Sequence, residues 1–294
     1  DDRTEALAAA LGTVTVERSV VAGDVNGDGY TDLVRAAQQR IEVWLNRGPS
    51  AIPAWSLGVA GGPNRTWGTA EISSLNCEGA GLLDVDDDGW LDIVTDNGPR
   101  GFVVLRNPAD GTANFTLPST TGALASSAPS TDFLTVADLD GDGRVDIVAR
   151  RDGAVDVLYR AAAPLAFDAA ARPNFAAPNE AKGSFAVCDV DNDGDLDLLH
   201  TDGGNGEGET PALRSNRWQL QGPARTFTEV DVMPALPSGV TTNEVSCGDF
   251  DNDGDLDLYV ATSAADLLLR NQLVDAGELR FVEAASGFAG GQNT

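Results

Sequence analysis

The stretch Asp249-Phe-Asp-Asn-Asp-Gly-Asp-Leu-Asp257 has aspartate at its odd positions and glycine at position six. Four earlier stretches align with it without gaps: Asp24-Val-Asn-Gly-Asp-Gly-Tyr-Thr-Asp32, Asp84-Val-Asp-Asp-Asp-Gly-Trp-Leu-Asp92, Asp138-Leu-Asp-Gly-Asp-Gly-Arg-Val-Asp146 and Asp189-Val-Asp-Asn-Asp-Gly-Asp-Leu-Asp197. In chain order we call them loops 1 to 5. Their first residues are 60, 54, 51 and 60 residues apart. A period near fifty residues indicates one supersecondary unit repeated along the chain.

Short apolar segments recur around each loop and predict four strands per repeat. The first precedes the loop, at 19–22, 81–83, 133–136, 185–187 and 244–246. The second follows it, at 33–34, 93–94, 147–148, 198–199 and 258–260. The third lies at 41–45, 102–105, 155–159, 212–214 and 267–269, and a weaker fourth at 55–57, 114–117, 165–167, 226–230 and 280–282. Four short strands per repeat describe one blade of a β-propeller.

We therefore expect an all-β fold, a single β-propeller domain over residues 1–294 with five four-stranded blades and one loop per blade. The blades are expected at about 14–60, 72–118, 131–170, 182–232 and 242–285. Residues 13–16 could add a strand to the last blade, and residues 5–11 could form one or two helical turns. A fragment of a larger ring is the alternative.

The loop composition is typical of a Ca²⁺ cage, because this hard cation takes about 6–8 oxygen ligands. Side chains at positions one, three and five are expected to supply oxygens, and position seven its backbone carbonyl, so that its side chain can vary. The glycine at position six permits the turn with positive φ. Position nine is expected to close the site with a bidentate carboxylate and to begin the next strand.

The expected ligands are Asp24, Asn26, Asp28, Tyr30 and Asp32; Asp84, Asp86, Asp88, Trp90 and Asp92; Asp138, Asp140, Asp142, Arg144 and Asp146; Asp189, Asp191, Asp193, Asp195 and Asp197; and Asp249, Asp251, Asp253, Asp255 and Asp257. This predicts about five Ca²⁺ ions, one for each loop. Loop 1 has Asn26 at position three, so it carries the fewest cage carboxylates and is expected to bind most weakly.

Helical calcium motifs share only the first half of this pattern. An EF-hand closes at position twelve with glutamate between two helices. Position twelve here is Arg35, Thr95, Ala149, His200 or Val260, none of which is that ligand. The net charge of −27 also disfavours nucleic acid and anionic membranes as partners.

The three cysteines do not form an even-numbered disulfide framework. Cys188 and Cys247 precede their loops by one and two residues, so strand alternation would point them to opposite faces. We interpret Cys77, Cys188 and Cys247 as buried thiols, with a single bridge possible. No stretch reaches the ~18 apolar residues of a membrane span, and no signal peptide is visible.

The repeats resemble those of the FG-GAP or VCBS type, which build integrin α-subunit propellers and many bacterial surface proteins. Val21-Ala-Gly-Asp24-Val-Asn-Gly-Asp-Gly-Tyr-Thr-Asp-Leu33 is similar to the core of an integrin-type repeat, without its Phe-Gly before or its Ala-Pro after. Cys247–Tyr259, with Leu269-Arg-Asn271 and Phe281-Val-Glu283, is similar to repeats of cartilage acidic protein. The resemblance covers about residues 15–285 and implies calcium binding and a secreted, extracellular or cell-surface location, periplasmic or outer-surface in a bacterium.

A second face of the propeller, opposite the calcium loops, is a candidate ligand face. The residues expected there are Arg65, Trp67, Arg100, Arg150, Arg151, Asp202, Asn205 and Glu207, together with His200 at the head of a glycine-rich insert. Basic and aromatic groups exposed on an acidic protein can mark a binding patch. Inter-blade packing of Trp67 and solvated arginines are the simpler interpretation.

Three functions fit these features. The first, which we favour, is a monomeric, rigid calcium-stabilised module that binds a protein or a glycan, without catalytic activity. The second is a polysaccharide lyase or hydrolase, which needs a base and a charge-neutralising cation beside a groove. The third is a structural spacer within a surface protein. His200 is the only histidine, and no nucleophile motif accompanies it.

Overall fold

The computed structural model of the chain describes residues 17–37, 39–49, 55–57, 66–68, 77–97, 101–117, 131–151, 154–164, 166–167, 185–200, 217–220, 227–230, 234 and 242–284. These residues form small antiparallel sheets and one four-residue helix. The described part of the chain is therefore all-β, as the sequence predicts. Nothing in it forms a helix long and apolar enough to cross a membrane.

The strands group into five sheets, which we number in chain order. Sheet 1 contains β1 (Glu17–Gly23), β2 (Asp32–Ala37), β3 (Arg40–Asn46), β4 (Trp55–Leu57) and β5 (Thr66–Gly68); sheet 2 contains β6 (Ala80–Leu83), β7 (Asp92–Asp96) and β8 (Phe102–Leu105). Sheet 3 contains β9 (Thr131–Ala137), β10 (Asp146–Arg151) and β11 (Ala154–Leu158); sheet 4 contains β12 (Phe185–Cys188), β13 (Asp197–His200), β14 (Arg217–Leu220) and β15 (Phe227–Val230). Sheet 5 contains β16 (Thr242–Gly248), β17 (Asp257–Thr262), β18 (Leu267–Asn271) and β19 (Phe281–Glu283), with α1 (Leu273–Ala276) before β19.

Each sheet begins with two antiparallel strands joined by one of the five loops, and strands rather than helices flank every loop. The first and second predicted strands are confirmed in all five repeats. In repeats two and three the predicted fourth strand is reduced to the single bridges Arg106–Thr116 and Arg160–Phe167. One-residue pairing is too short to form a strand, so the described sheets 2 and 3 have three strands each.

The third strand described in repeat four, β14, lies at Arg217–Leu220 rather than at the predicted 212–214, and its Trp218 pairs with Leu198. The long insert after β13 contains few apolar residues, so the pattern offered no clear register for its end. Residues 212–214 and the terminal segments 5–11 and 13–16 lie outside the described residues.

The chain divides into two compact units. Unit 1 comprises Asp1–Val136, Val145–Asp152 and Asp156–Ala170, and unit 2 comprises Ala137–Arg144, Gly153–Val155 and Ala171–Thr294. In unit 1, one core joins sheets 1 and 2 and another joins sheets 2 and 3. In unit 2, a third core joins sheets 4 and 5. Neighbouring sheets thus bury their apolar faces against each other, at about 1.5–3 kcal/mol for each large aliphatic side chain.

Glycine directly before β6, at Gly79, and within β6, at Gly81, lets β9 of the neighbouring sheet approach closely. A Cβ on Gly79 would lie 2.5 Å from the backbone nitrogen of Leu134, and one on Gly81 would lie 2.4 Å from Val136 Cγ1. Both distances are shorter than any normal contact, so only glycine fits. The Gly79 amide also donates to the buried Asp96 Oδ1 at 2.6 Å. This strand spacing is therefore built into the sequence.

The cysteines correct the sequence interpretation in part. Cys188 and Cys247 form a disulfide within unit 2, whereas Cys77 is a buried free thiol, as predicted. Strand alternation separates the directions of two side chains only when both lie in one sheet, whereas Cys188 and Cys247 lie on the first strands of two adjacent sheets. When two sheets pack face to face, the side chains that point up from one sheet meet those that point down from the next. Positions one and two residues before the loop point to opposite faces, so they can meet across two adjacent sheets. Gly23 and Leu82 occupy the corresponding positions of sheets 1 and 2, where a Cβ on Gly23 would lie 2.8 Å from Leu82 Cδ1.

Replacing Gly79 with alanine should destabilise the chain by about 1–3 kcal/mol, because the added methyl group collides with the backbone of β9. Urea unfolding in calcium buffer measures this change. Gly248→Ala is the matched control, since its Cβ would meet only the exposed Phe250 ring, at 3.3 Å. A Gly79→Ala variant as stable as the control would contradict the close approach of the two strands.

Candidate metal centres

The five loops share one backbone conformation. Position six has positive φ in every loop, at Gly29, Gly89, Gly143, Gly194 and Gly254, which confirms the predicted turn. Position four has positive φ as well, at Gly27, Asp87, Gly141, Asn192 and Asn252. Glycine, asparagine and aspartate are the residues that tolerate this region best. The residue types at position four therefore carried a signal that the sequence analysis did not use.

The position-one aspartate accepts hydrogen bonds from backbone amides of the turn that surrounds it. Its Oδ2 accepts a hydrogen bond from the position-six amide at 2.7–3.3 Å in all five loops. Its Oδ1 accepts one from the position-five amide at 3.1–3.2 Å, again in all five. Backbone amides around a carboxylate fix its orientation. The first ligand is thus held in place by the loop that it shapes.

The position-nine aspartate links the loop to two strands. It is the first residue of the second strand in every repeat, as predicted. In loop 2, Asp92 Oδ2 accepts from the Val85 amide at 2.9 Å, and Oδ1 accepts from the Asn107 amide beyond β8 at 2.7 Å. The same pair of hydrogen bonds is formed by Asp32 with Val25 and Asn46, and by Asp257 with Phe250 and Asn271.

Every position-nine carboxylate is fully buried: Asp32, Asp92, Asp146, Asp197 and Asp257 are each 0% exposed. Burial raises the pKa of Asp32 and that of Asp92 to about 6, although backbone hydrogen bonds act in the opposite direction. Burial also raises the pKa of Asp257. The protein's own groups therefore leave the desolvation of these carboxylates partly uncompensated, which a bound cation would correct.

Positions one, three and nine converge in four loops. Oxygen atoms of three side chains lie within 4.8 Å of one another at Asp84, Asp86 and Asp92; at Asp138, Asp140 and Asp146; at Asp189, Asp191 and Asp197; and at Asp249, Asp251 and Asp257. Within the described residues, loop 1 forms no such group of three acidic side chains, because its position three is Asn26.

Position five lies outside these groups, and its carboxylate serves the turn. Asp28, Asp88, Asp142, Asp193 and Asp253 each accept a hydrogen bond from the position-seven amide, at 2.9–3.1 Å, through Oδ1. Their role as metal ligands, the carbonyl role of position seven and the bidentate role of position nine remain predictions.

The residues that converge fit a calcium ion. Two oxygens bound to one Ca²⁺ at 2.3–2.6 Å can be separated by at most about 5 Å, and the oxygens of each group, all within 4.8 Å of one another, are close enough to share one ion. In loops 2 and 5 the position-three Oδ1 atoms of Asp86 and Asp251 are buried and have no hydrogen-bond partner. The donor set is oxygen only, as a hard cation requires. These groups can therefore hold metal ions.

Residues outside the loops join neighbouring loops within each unit, and the sequence analysis missed them. Asn107 Nδ2 donates to Val25 O of loop 1 at 2.8 Å and to Leu91 O of its own loop at 3.0 Å. Asn271 Nδ2 donates in the same way to Val190 O and Leu256 O. The signal was the asparagine at the end of the third strand, in Arg106-Asn107 and Arg270-Asn271.

The candidate ligand face is described only in part. Trp67 lies in β5, opposite Ile41 of β3, rather than in a loop. Arg150 and Arg151 end β10, and His200 ends β13 opposite Phe185. The side chains of these four residues lie outside the described part, as do Arg65, Arg100, Asp202, Asn205 and Glu207 entirely.

Repeated antiparallel sheets with an aspartate loop at the start of each define an all-β, propeller-like repeat protein with candidate metal loops. Residues 84–149 and 138–200 match the FG-GAP-like repeat, and residues 18–42 match the FG-GAP repeat. The chain therefore belongs to the FG-GAP-type repeat proteins. No curated protein matched the chain.

Solved structures with similar folds come from several sources. A lectin of Agrocybe aegerita that specifically recognises non-reducing terminal N-acetylglucosamine gives a TM-score of 0.52 at 17% identity, over 92% of this chain and 66% of its own. The Tc holotoxin pore of Photorhabdus luminescens gives 0.45 at 20%, over 90% and 12%, and the V. cholerae biofilm matrix protein Bap1 gives 0.40 at 17%, over 87% and 38%. The chain spans less than two thirds of each. The similarity to the lectin shows a shared fold alone.

Metal binding should weaken in acid because a proton competes for the buried carboxylates. Below about pH 6, Asp32 and Asp92 of the metal-free chain become protonated, so binding at loops 1 and 2 must displace a proton. We expect about a tenfold loss of affinity per pH unit below that value. Calcium titrations at pH 7.5, 6 and 5 measure it.

Asp110→Asn is the control for this pH series, because Asp110 is exposed and lies outside the loops. It should follow the same pH profile as the unchanged chain. Calcium affinities that are equal at pH 7.5 and pH 5 would contradict the buried carboxylates as ligands.

Proposed function

We propose that the chain is a calcium-binding, extracellular or surface β-propeller of five four-stranded blades that serves as a rigid binding module for a protein or glycan. The observation that carries the calcium part is the set of five position-nine carboxylates, all fully buried at the start of a strand. An ionised carboxylate in that position is costly unless a cation and hydrogen bonds compensate it. The amides supply the hydrogen bonds, and Ca²⁺ supplies the charge.

Each ion would be held by the side chains of positions one, three, five and nine and by the carbonyl of position seven. Its chemistry is electrostatic: it neutralises the cage carboxylates and crosslinks the loop to the second strand. Five ions would change the net charge from −27 to about −17. Calcium is favoured over magnesium because each loop offers oxygens from five positions, whereas Mg²⁺ demands near-ideal octahedral geometry and usually keeps several of its waters.

The blade assignment follows from the repetition of sheet and loop. Sheets 4 and 5 have four strands each, and sheets 2 and 3 have three strands and a bridge where the fourth is expected. Apolar cores between successive sheets are the packing that blades of a propeller need. The similarity to the lectin fold supports the same architecture.

An extracellular location is supported by three features. FG-GAP repeats are typical of extracellular or surface proteins. The Cys188–Cys247 disulfide is the kind of bond that persists in oxidising compartments. Calcium sites of this type also need an environment where the ion is plentiful. We therefore propose that the protein acts outside the cytoplasm.

A binding role without catalysis accounts best for the side chains. The loop carboxylates are committed to the turn and the cage, and the sequence has one histidine, so it offers few candidates for a general base. A glycan is a reasonable ligand class because a protein of similar fold is a lectin for N-acetylglucosamine. We place the ligand on the face that includes Arg65, Trp67, Arg150, Arg151 and His200.

Removing the metal should loosen or unfold the chain. In chelator we expect a large fall in melting temperature, because the cage carboxylates repel one another once the ions are gone. Calorimetric melts with calcium and with chelator measure the shift, and elemental analysis of the calcium-loaded chain should count about five ions.

Two matched substitutions rank the loops in the same experiment. Asp28→Ala in loop 1 should lower the calcium-dependent melting temperature less than Asp193→Ala in loop 4, because loop 1 has fewer cage carboxylates. Equal or reversed effects would contradict the ranking. A melting temperature in chelator equal to that in calcium would contradict the calcium function.

Ligand binding should depend on the proposed face. A glycan array that includes N-acetylglucosamine-terminated oligosaccharides, probed in calcium, should give binding that Arg150→Ala/Arg151→Ala abolishes. Arg280→Ala is the control, since Arg280 is half exposed and lies before β19. No binding to glycans or to surface proteins would favour the spacer, and formation of unsaturated products from uronic-acid polymers would favour a lyase.

A further inference from the structure

Two arginines occupy equivalent places beside loops 2 and 5. Arg106 directly follows β8, and Arg270 lies in β18. Each is followed by an asparagine whose backbone amide donates a hydrogen bond to the position-nine carboxylate. The residues before them, Leu105 and Leu269, are fully buried and pair with the strand that starts at position nine. Strand alternation therefore turns both arginines away from the core and toward their loop.

In loop 2, Arg106 contacts three of the four cage carboxylates. Its Nη2 pairs with Asp86 Oδ2 at position three and lies 3.5 Å from Asp88 Oδ2 at position five. Its Nε lies 3.5 Å from Asp92 Oδ1 at position nine. The Arg106 side chain is 23% exposed, so solvent screens these contacts only in part.

In loop 5, Arg270 forms the same contact with position three. Its Nε donates to Asp251 Oδ2 at 2.5 Å, and its Nη2 pairs with the same oxygen. In both loops the guanidinium therefore uses Oδ2 of the position-three aspartate and leaves Oδ1 buried and without a partner. The arginine thus holds this carboxylate from outside the cage, with its second oxygen available to an ion.

The arginines also change the charge of the cage. Loops 2 and 5 have aspartate at each of positions one, three, five and nine. One guanidinium beside them makes the net charge of these groups less negative by one unit. Loop 1 has three such aspartates, and there the Asn26 amide donates to Asp28 Oδ2 at 3.0 Å. At these four positions a neutral donor in loop 1 and a cation in loops 2 and 5 therefore lead to the same net charge, and loop 5 has one further carboxylate, Asp255 at position seven.

We propose that Arg106 and Arg270 are built-in counter-ions that hold the metal-free cages of loops 2 and 5 together and weaken their affinity for Ca²⁺. The inference rests on the proposed calcium function. In the metal-free chain each guanidinium screens the repulsion among the carboxylates. Once the ion binds, the same positive charge lies a few ångströms from a divalent cation and repels it.

Consequently loop 2 would not exceed loop 1 in affinity, despite having one more carboxylate, so the expectation that loop 1 binds most weakly would hold against loop 4 but not against loop 2. Loops 2 and 5 would keep their conformation at calcium concentrations too low to fill them. The arginines are positioning residues for the ion rather than ligands, because a guanidinium cannot coordinate a cation.

Terbium is used as a luminescent stand-in for calcium, with Trp90 at position seven of loop 2 as the antenna. Because the Trp90 ring also lies against Gly27 of loop 1, occupancy of loop 2 is reported by the emission that is lost both in Trp90→Phe and in Asp84→Asn. Calcium is then titrated as the competitor in the unchanged chain and in Arg106→Gln, which keeps a hydrogen-bond donor and loses the charge. We expect calcium affinity at loop 2 to rise about tenfold in Arg106→Gln, and the melting temperature in chelator to fall by about 2 °C.

Two controls separate charge from position. Arg106→Lys keeps the charge and should retain the original affinity, while Arg280→Gln removes the same charge outside the loops and should change neither quantity. An affinity that falls or stays the same in Arg106→Gln would overturn the inference while leaving the calcium function intact. Failure of calcium to displace terbium from the unchanged chain would instead contradict the calcium function itself.

Discussion

The buried aspartate at position nine is the constraint on which the rest of the structure depends. One of its oxygens accepts a hydrogen bond from the backbone amide of the loop's second residue, and the other accepts one from a backbone amide at the end of the third strand. One carboxylate therefore fixes the loop and two strands together. The same arrangement recurs in different sheets, at Asp32 and Asp257. Because the group is fully buried, its negative charge demands a cation nearby. The structure of the loop and the proposed metal binding are therefore two consequences of one residue.

Asparagine and arginine side chains from outside the loops add hydrogen bonds and positive charge around this group. Asparagines at the ends of third strands join successive loops within a unit, and the Arg160 guanidinium lies 3.3 Å from Asp87 of loop 2. Within each unit, such ties make neighbouring loops parts of one framework rather than independent turns. A framework of this kind suits a platform that presents a ligand face, since rigid scaffolds carry functional loops most effectively.

Much of the fold could be read from the sequence because the repeat is local. The period, the loop boundaries, the glycine turn and the strand that begins at each position nine depend on residues within a short window. The disulfide and the ties from Asn107 and Asn271 could not be read, because they join residues 59 to 82 positions apart. The shift of β14 has another cause: a glycine-rich insert carries no periodic pattern from which a register follows. The ligand and the partner could not be predicted, because the side chains that would bind them are not part of the repeated motif.

A crystal structure of the chain grown with calcium tests the central claim most directly. We predict one ion in each loop, bound at 2.3–2.6 Å by the position-nine carboxylate together with oxygens of positions one and three, with both amide hydrogen bonds to position nine preserved. Ions that bypass the buried carboxylates, or loops that keep the same shape with no ion at saturating calcium, would contradict the account.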